Sequence, residues 1–89
     1  MSHTKKLAWV RDWLASTQIP DDFVLRITFD CVDSLPTIQI DGKEFLRRYR
    51  GRDGKIVRRG GYVHYHLIDN GVNVVAAVKS EERELYAVI

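Results

Sequence analysis

Four two-residue turn signals divide the second half of the chain into short segments. They are Asp41-Gly42, Asp53-Gly54, Gly60-Gly61 and Asn70-Gly71. Each pair permits the positive backbone φ angles that a tight type I′ hairpin turn requires. Segments joined in this way pair antiparallel with their neighbours in sequence, so the pattern predicts a β-meander. The predicted strands are residues 36–40, 43–52, 55–59, 62–69 and 72–79, with a further strand at 84–89.

Two of these segments also fit a helix. Asp41 is a good N-cap residue, and Glu44 three positions later completes a capping box, so residues 42–49 fit a short helix. The strand is favoured at this position because Asp-Gly between two β-prone segments is the stronger local signal. Ser80 followed by acidic residues leaves the same alternative open for the C-terminal segment.

The N-terminal part of the chain predicts one helix and one strand. At about 100° per residue, the large apolar side chains of residues 4–16 fall on one stripe, and Pro20 ends that helix. Residues 22–32 alternate as in a half-buried strand, with one side formed by Phe23, Leu25, Ile27, Phe29 and Cys31. We therefore expect a single α+β domain over residues 1–89. Its N-terminal amphipathic helix (about 4–16) packs on an antiparallel, mostly meandering β-sheet (about 22–89).

Composition excludes several classes of protein. The 89 residues contain one cysteine, so no intrachain disulfide can form, which favours a reducing, cytoplasmic location. No apolar segment approaches the roughly 18–20 residues of a transmembrane helix, so no membrane partner is expected. There is no GxSxG, phosphate-loop, HExxH or CxxC motif. The sequence therefore predicts a non-enzymatic protein without a cofactor.

The charges of the chain are unevenly distributed. Residues 43–62 contain eight basic and two acidic residues, whereas the rest of the chain contains six basic and ten acidic residues. Like charges placed opposite each other in a sheet are destabilising. Such a basic segment therefore either binds an anionic partner or protects an exposed sheet edge against aggregation.

The predicted hairpin registers bring the basic residues to one face. Two-residue turns oppose Arg59 to Tyr62 and Lys55 to His66, and strand side chains alternate between faces. One face of the sheet then collects a set of basic and aromatic residues, which form the candidate nucleic-acid site: Arg48, Arg50, Arg52, Lys55, Arg59, Tyr62, His64 and His66. His64 and His66 are also candidate metal ligands, but with only His3 left in the chain and Cys31 expected in the core, no metal site is predicted.

Positive side chains for phosphates beside aromatic rings for bases are the composition of a nucleic-acid site. The sequence therefore predicts a small module that binds DNA or RNA through the basic hairpin of residues 43–62. The alternative is a protein-interaction module, such as a small inhibitor or adaptor of mobile-element type, that docks its basic face on an acidic protein partner. A homodimer, in which acidic and basic regions pair between protomers, is a further alternative.

Overall fold

The computed structural model describes residues 3–29, 34–52 and 54–81. In chain order the helices and strands are α1 (His3–Thr17), β1 (Val24–Thr28), β2 (Thr37–Ile40), α2 (Gly42–Arg48), β3 (Lys55–Arg59), β4 (Tyr62–Asp69) and β5 (Val72–Lys79). Within the described ranges the chain thus forms the α-helices α1 and α2, five β-strands and a short 3-10 turn at Asp21–Phe23, and Ser80 and Glu81 are also helical. The predicted N-terminal helix and the predicted strands at 36–40, 55–59, 62–69 and 72–79 are confirmed.

The strands form one five-stranded sheet in the order β1-β2-β5-β4-β3. Three neighbouring pairs are antiparallel, whereas β2 and β5 run parallel. The chain leaves β2 through α2, forms the far edge with β3, and returns through β4 to place β5 beside β2. A parallel pair requires a long connection of this kind. The predicted α+β fold class is confirmed, and the sheet is mixed because of this one crossover.

Both tight hairpins have the register predicted from their turns. In β3–β4, Arg59 pairs with Tyr62 and Lys55 pairs with His66. In β4–β5, His66 pairs with Val75. The turn residues have positive φ angles, 56° and 83° at Gly60-Gly61 and 50° and 80° at Asn70-Gly71, as type I′ turns require.

The predicted strand at residues 43–52 is wrong, because residues 42–48 form α2. The Asp41 carboxylate accepts a hydrogen bond from the backbone N–H of Glu44 at 3.1 Å and caps the helix. Glu44 is only 5% exposed, and its carboxylate lies 2.5 Å from an Arg47 nitrogen and 3.1 Å from an Arg48 nitrogen. The helix is thus stabilised by its cap and by pairs at helical spacing.

Glycine at position 42 lets α2 begin against β5. A Cβ atom there would lie 2.5 Å from Cγ2 of Val78 and 2.8 Å from the carbonyl oxygen of Ala77. A larger residue would therefore push the helix away from the sheet. Asp41-Gly42 therefore allows α2 to pack closely against β5 and does not form a hairpin turn.

Both helices lie on the same face of the sheet and bury its apolar side chains. In α1, Trp13 is 3% exposed and Trp9 donates its indole N–H to the carbonyl oxygen of Asn70 at 3.0 Å. Arg48 of α2 donates to the carbonyl oxygen of Thr17 at 2.7 Å and joins the two helices. The buried core consists of Val10, Trp13, Ile19, Ile38, Ile40, Phe45, Tyr49, Val63, Tyr65, Leu67, Val72, Val74, Ala76 and Val78.

The strand β1 is shorter than the predicted strand at 22–32. Its pairing with β2 shifts register between Val24 and Arg26, which leaves Leu25 as an extra residue at the sheet edge, 59% exposed. The simple alternation predicted for this segment therefore fails at the bulge. Cys31 and the predicted strand at 84–89 lie outside the described residues.

Candidate nucleic-acid interface

The sheet has a second face that neither helix covers. Alternation and the strand registers direct every second side chain of the five strands to this side. We call this surface the open face. It consists of Arg26 and Thr28 of β1, Thr37 and Gln39 of β2, Lys55, Val57 and Arg59 of β3, Tyr62, His64, His66 and Ile68 of β4, and Asn73, Val75, Ala77 and Lys79 of β5.

The open face carries positive charge without compensation from its own strands. Its basic side chains are those of Arg26, Lys55, Arg59 and Lys79, and none of the described strand residues directed to it is acidic. The nearest acid in these strands, Asp69, is paired with Val72 on the core side. Outside the strands, Asp41 lines a pocket with Tyr62 and Lys79, whereas no acid lines the groove that contains Lys55 and Arg59. Positive side chains that share a surface with few carboxylates produce a potential that attracts polyanions.

One row of side chains places an aromatic ring between two cations. Tyr62 pairs with Arg59 on one side and with Lys79 on the other. Tyr62 is 44% exposed, and its ring centroid lies 6.5 Å from that of His64 on the same strand. The two rings offer flat surfaces to a ligand, and the flanking cations suit its phosphates.

The neighbouring rows form a shallow groove of about 300 Å³ along β3 and β4. Lys55 and Arg59 lie at its two ends on β3, and His64 and His66 form its β4 side, with Val57 as the apolar floor between them. The hairpin register that the turns specify is the cause of this arrangement, because it aligns Val57 with His64 and Lys55 with His66.

The structure therefore brings together five of the eight predicted site residues on the open face: Lys55, Arg59, Tyr62, His64 and His66. The other three, Arg48, Arg50 and Arg52, were assigned to this face through the strand at 43–52, and that assignment is wrong. Arg48 instead contacts Glu44 and Thr17. Arg50 and Arg52 follow α2 on the core side of β3, where Arg52 lies 5.6 Å above the Tyr49 ring.

Two basic residues of the open face were missed by the sequence analysis. Lys79 is directly opposite Tyr62, so extending the predicted β4–β5 register to its end would have found it. Arg26 reaches the face only through its pairing with Gln39, which in turn pairs with Val75 of β5. That second pairing is the parallel one, for which the sequence contains no local signal.

The two histidines do not join a larger cluster of metal-binding side chains. Among the described residues, no group of three or more His, Cys, Asp or Glu side chains is close enough to hold a metal ion. His64 and His66 point to the same face, where they add hydrogen-bonding groups.

A buried tyrosine holds α2 to the sheet behind this face. The Tyr49 hydroxyl donates to Asp69 at 2.8 Å, and the side chain is 6% exposed. Burial, together with this hydrogen bond and the negative charge of Asp69, raises the pKa of Tyr49 well above its usual value of about 10. The neutral phenol is therefore part of the folded state.

We expect Tyr49→Phe to change how stability depends on alkaline pH. Below about pH 10 the variant loses one hydrogen bond and about 1 kcal/mol of unfolding free energy. The pKa of Tyr49 is higher in the folded protein than in the unfolded chain. Its contribution to the unfolding free energy of the wild type is therefore complete below the unfolded-state pKa and declines as the pH rises above that pKa. Urea denaturation from about pH 7 to 11 should show the two stability curves converging. Tyr62→Phe, which alters an exposed ring, should stay within about 0.5 kcal/mol of wild type at pH 7.

Comparison with known proteins gives no match: no family model, no curated protein and no solved structure matches this chain. No helix in the described ranges has the length and apolar character needed to cross a membrane.

Proposed function

We propose that this protein is a non-enzymatic module that binds single-stranded nucleic acid on the open face of its sheet. One observation carries the proposal: four cations, Tyr62 and two histidines share this face, and no acid in the described strands does. Lys55, Arg59, Lys79 and Arg26 contact phosphates, and Tyr62 stacks on a base. His64 and His66 contact bases or sugars.

The shape of the sheet favours a single strand over a duplex. With strands about 4.8 Å apart, five strands span roughly 19 Å, which exceeds the approximately 12 Å width of the DNA major groove. A two-stranded ribbon would fit that groove, but β4 is paired with β5 along its whole length, from Tyr62 to Asp69. The β3–β4 hairpin is therefore part of a wide surface. Unpaired bases can lie flat on such a surface.

An acidic protein surface is the second candidate for the same face. Cations alone attract carboxylates as well as phosphates. The position of Tyr62 between Arg59 and Lys79, with His64 6.5 Å away, favours nucleic acid because it supplies stacking groups between cations.

A salt titration tests the proposal. Labelled single-stranded DNA and RNA oligonucleotides, and their duplex forms, are titrated with the protein between about 50 and 200 mM salt. Four phosphate contacts predict a log–log slope of about −3 for a single strand. We expect tighter binding of the single strand than of the duplex. Absence of binding at the lowest salt would refute the function, and equal or tighter duplex binding would refute the single-strand assignment.

A further inference from the structure

A second concave site lies at the edge of the sheet, on the side opposite the open face. It is a cleft of about 200 Å³ between the C-terminal end of α2 and the strands β3 and β4. We call it the edge cleft. Its apolar wall is formed by Phe45 and Leu46 of α2, Ile56 of β3, and Tyr65 and Leu67 of β4.

The edge cleft exists because α2 is too short to cover β3. The helix ends at Arg48, and the chain then turns away through Gly51, which has a φ angle of 79°. Ile56 points to the helix side of the sheet, opposite Tyr65, and yet is 49% exposed. An apolar side chain that faces the core layer but is left half open to solvent marks a place where another apolar group can pack.

Aromatic rings form the deep part of the edge cleft. The Phe45 ring centroid lies 5.0 Å from that of Tyr49 and 5.5 Å from that of Tyr65. All three rings are fixed in the core, with exposures of 4% to 7%. The cleft thus has a rigid aromatic wall, of which a flat apolar ligand contacts only the small exposed part, and its more accessible apolar surface is supplied by Leu46 and Ile56.

The rim of the edge cleft is basic. Arg50, Arg52 and Lys55 line it, and none of the described lining residues is acidic, although one guanidinium nitrogen of Arg52 lies 4.0 Å from a carboxylate oxygen of Asp69. The ligand that suits such a site has a flat apolar part and an attached anionic part. A nucleotide has this composition, with the base for the aromatic wall and the phosphate for the rim.

The edge cleft and the open face meet at the beginning of β3. Lys55 and His66 line both the cleft and the groove of the open face. We infer that the edge cleft is a nucleotide subsite, which takes one base of the strand whose backbone crosses the open face at Lys55. This inference rests on the proposed function, and it gives Arg50 and Arg52 a phosphate contact that the open face does not offer them.

Photo-cross-linking locates the base in the wild-type protein. A single-stranded oligonucleotide with 5-iodouracil is irradiated in complex with the protein, and the adducts are mapped by mass spectrometry. We expect adducts at Tyr49, Tyr65 or Phe45, besides those at Tyr62. Adducts confined to Tyr62 and the histidines would overturn the inference and leave the proposed function intact.

A filled-cleft variant provides an independent measurement. Ile56→Trp adds a large side chain at the half-exposed cleft position, and Leu25→Trp is its matched control on the opposite edge strand. We expect Ile56→Trp to lose about tenfold or more in affinity, since it displaces one stacked base. The log–log salt slope should flatten by about 0.7 for each phosphate contact of Arg50 or Arg52 that is lost with the base. Leu25→Trp should bind as wild type does. Equal affinities for both variants would contradict the subsite.

A free nucleotide offers the edge cleft the same base and phosphate as a nucleotide of the strand does. 5-Iodouridine monophosphate, irradiated with the protein alone, should give weak adducts that excess unlabelled strand abolishes. Strong adducts that the strand does not compete away would overturn the connection to the strand. If the wild type binds no oligonucleotide at all, the proposed function fails and this inference fails with it.

Discussion

Replacing Lys55 and Arg59 by glutamine should lower the affinity for a single-stranded oligonucleotide by about tenfold or more at about 100 mM salt. Both side chains lie on β3 at the two ends of the open-face groove. Removing two phosphate contacts should also flatten the log–log salt slope by about 1.4. Fluorescence anisotropy over a salt series measures both quantities. The reduced slope is the more specific result, because a folding defect would lower the active fraction of the protein without changing the salt slope.

A matched control separates the position of the charges from their number. Arg58 is adjacent to Arg59 on β3, but it pairs with Val63 and points to the other side of the sheet. Arg11 lies on α1, where it contacts Asp12. The double variant Arg11→Gln/Arg58→Gln therefore removes the same net charge without touching the open face. We expect it to keep the wild-type slope, and an equal loss in both double variants would show that net charge alone governs binding.

The hairpins could be predicted from the sequence because their cause is local. Gly60-Gly61 and Asn70-Gly71 specify the turn, and a two-residue turn fixes which residues face each other along both strands. The open-face positions of Lys55, Arg59, Tyr62, His64 and His66 follow from that register. The parallel pairing of β2 with β5 connects segments distant in sequence and has no local signal, so the position of Arg26 could not be predicted.

Residues 42–48 show how tertiary contacts favour one of two local structures that the sequence permits. Asp41-Gly42 is both a hairpin signal and an N-cap followed by a small residue. The hydrogen bond from Arg48 to Thr17, and the close contact of Gly42 with Val78, exist only if this segment is a helix. No local pattern contains these contacts. The edge cleft was missed for the same reason, since it depends on where α2 ends above β3.

The basic segment that stands out in the sequence has two physical roles. Arg47 and Arg48 lie on α2 and pair with Glu44. Lys55 and Arg59 lie on β3 and face the open side of the sheet. High density of one charge therefore does not define a single site here. Arg47 and Arg48 stabilise the helix, whereas Lys55 and Arg59 belong to the candidate interface.

Glu44→Gln should be strongly destabilising for a change of so few atoms. Glu44 is 5% exposed and contacts Arg48 at 3.1 Å. The Arg48 side chain is 24% exposed and also donates a hydrogen bond to the carbonyl oxygen of Thr17 in α1. The amide keeps the shape but removes the negative charge, so Arg48 is left partly buried without its ion pair. Charge-assisted hydrogen bonds of this kind contribute about 1.5–3 kcal/mol. Because Arg47 is 63% exposed, its pair adds little, and we expect a loss of about 2 kcal/mol in unfolding free energy.

Urea denaturation at neutral pH measures the loss of unfolding free energy in Glu44→Gln. The matched control is Glu81→Gln, which removes an identical charge from an exposed residue outside α2. The control should stay within about 0.5 kcal/mol of wild type. Since Arg47 and Arg48 serve the helix and lie away from the open face, the folded Glu44→Gln protein should retain the wild-type salt slope for oligonucleotide binding. A changed slope would mean that these arginines contact the nucleic acid directly, and the division of the basic segment into two roles would then be wrong.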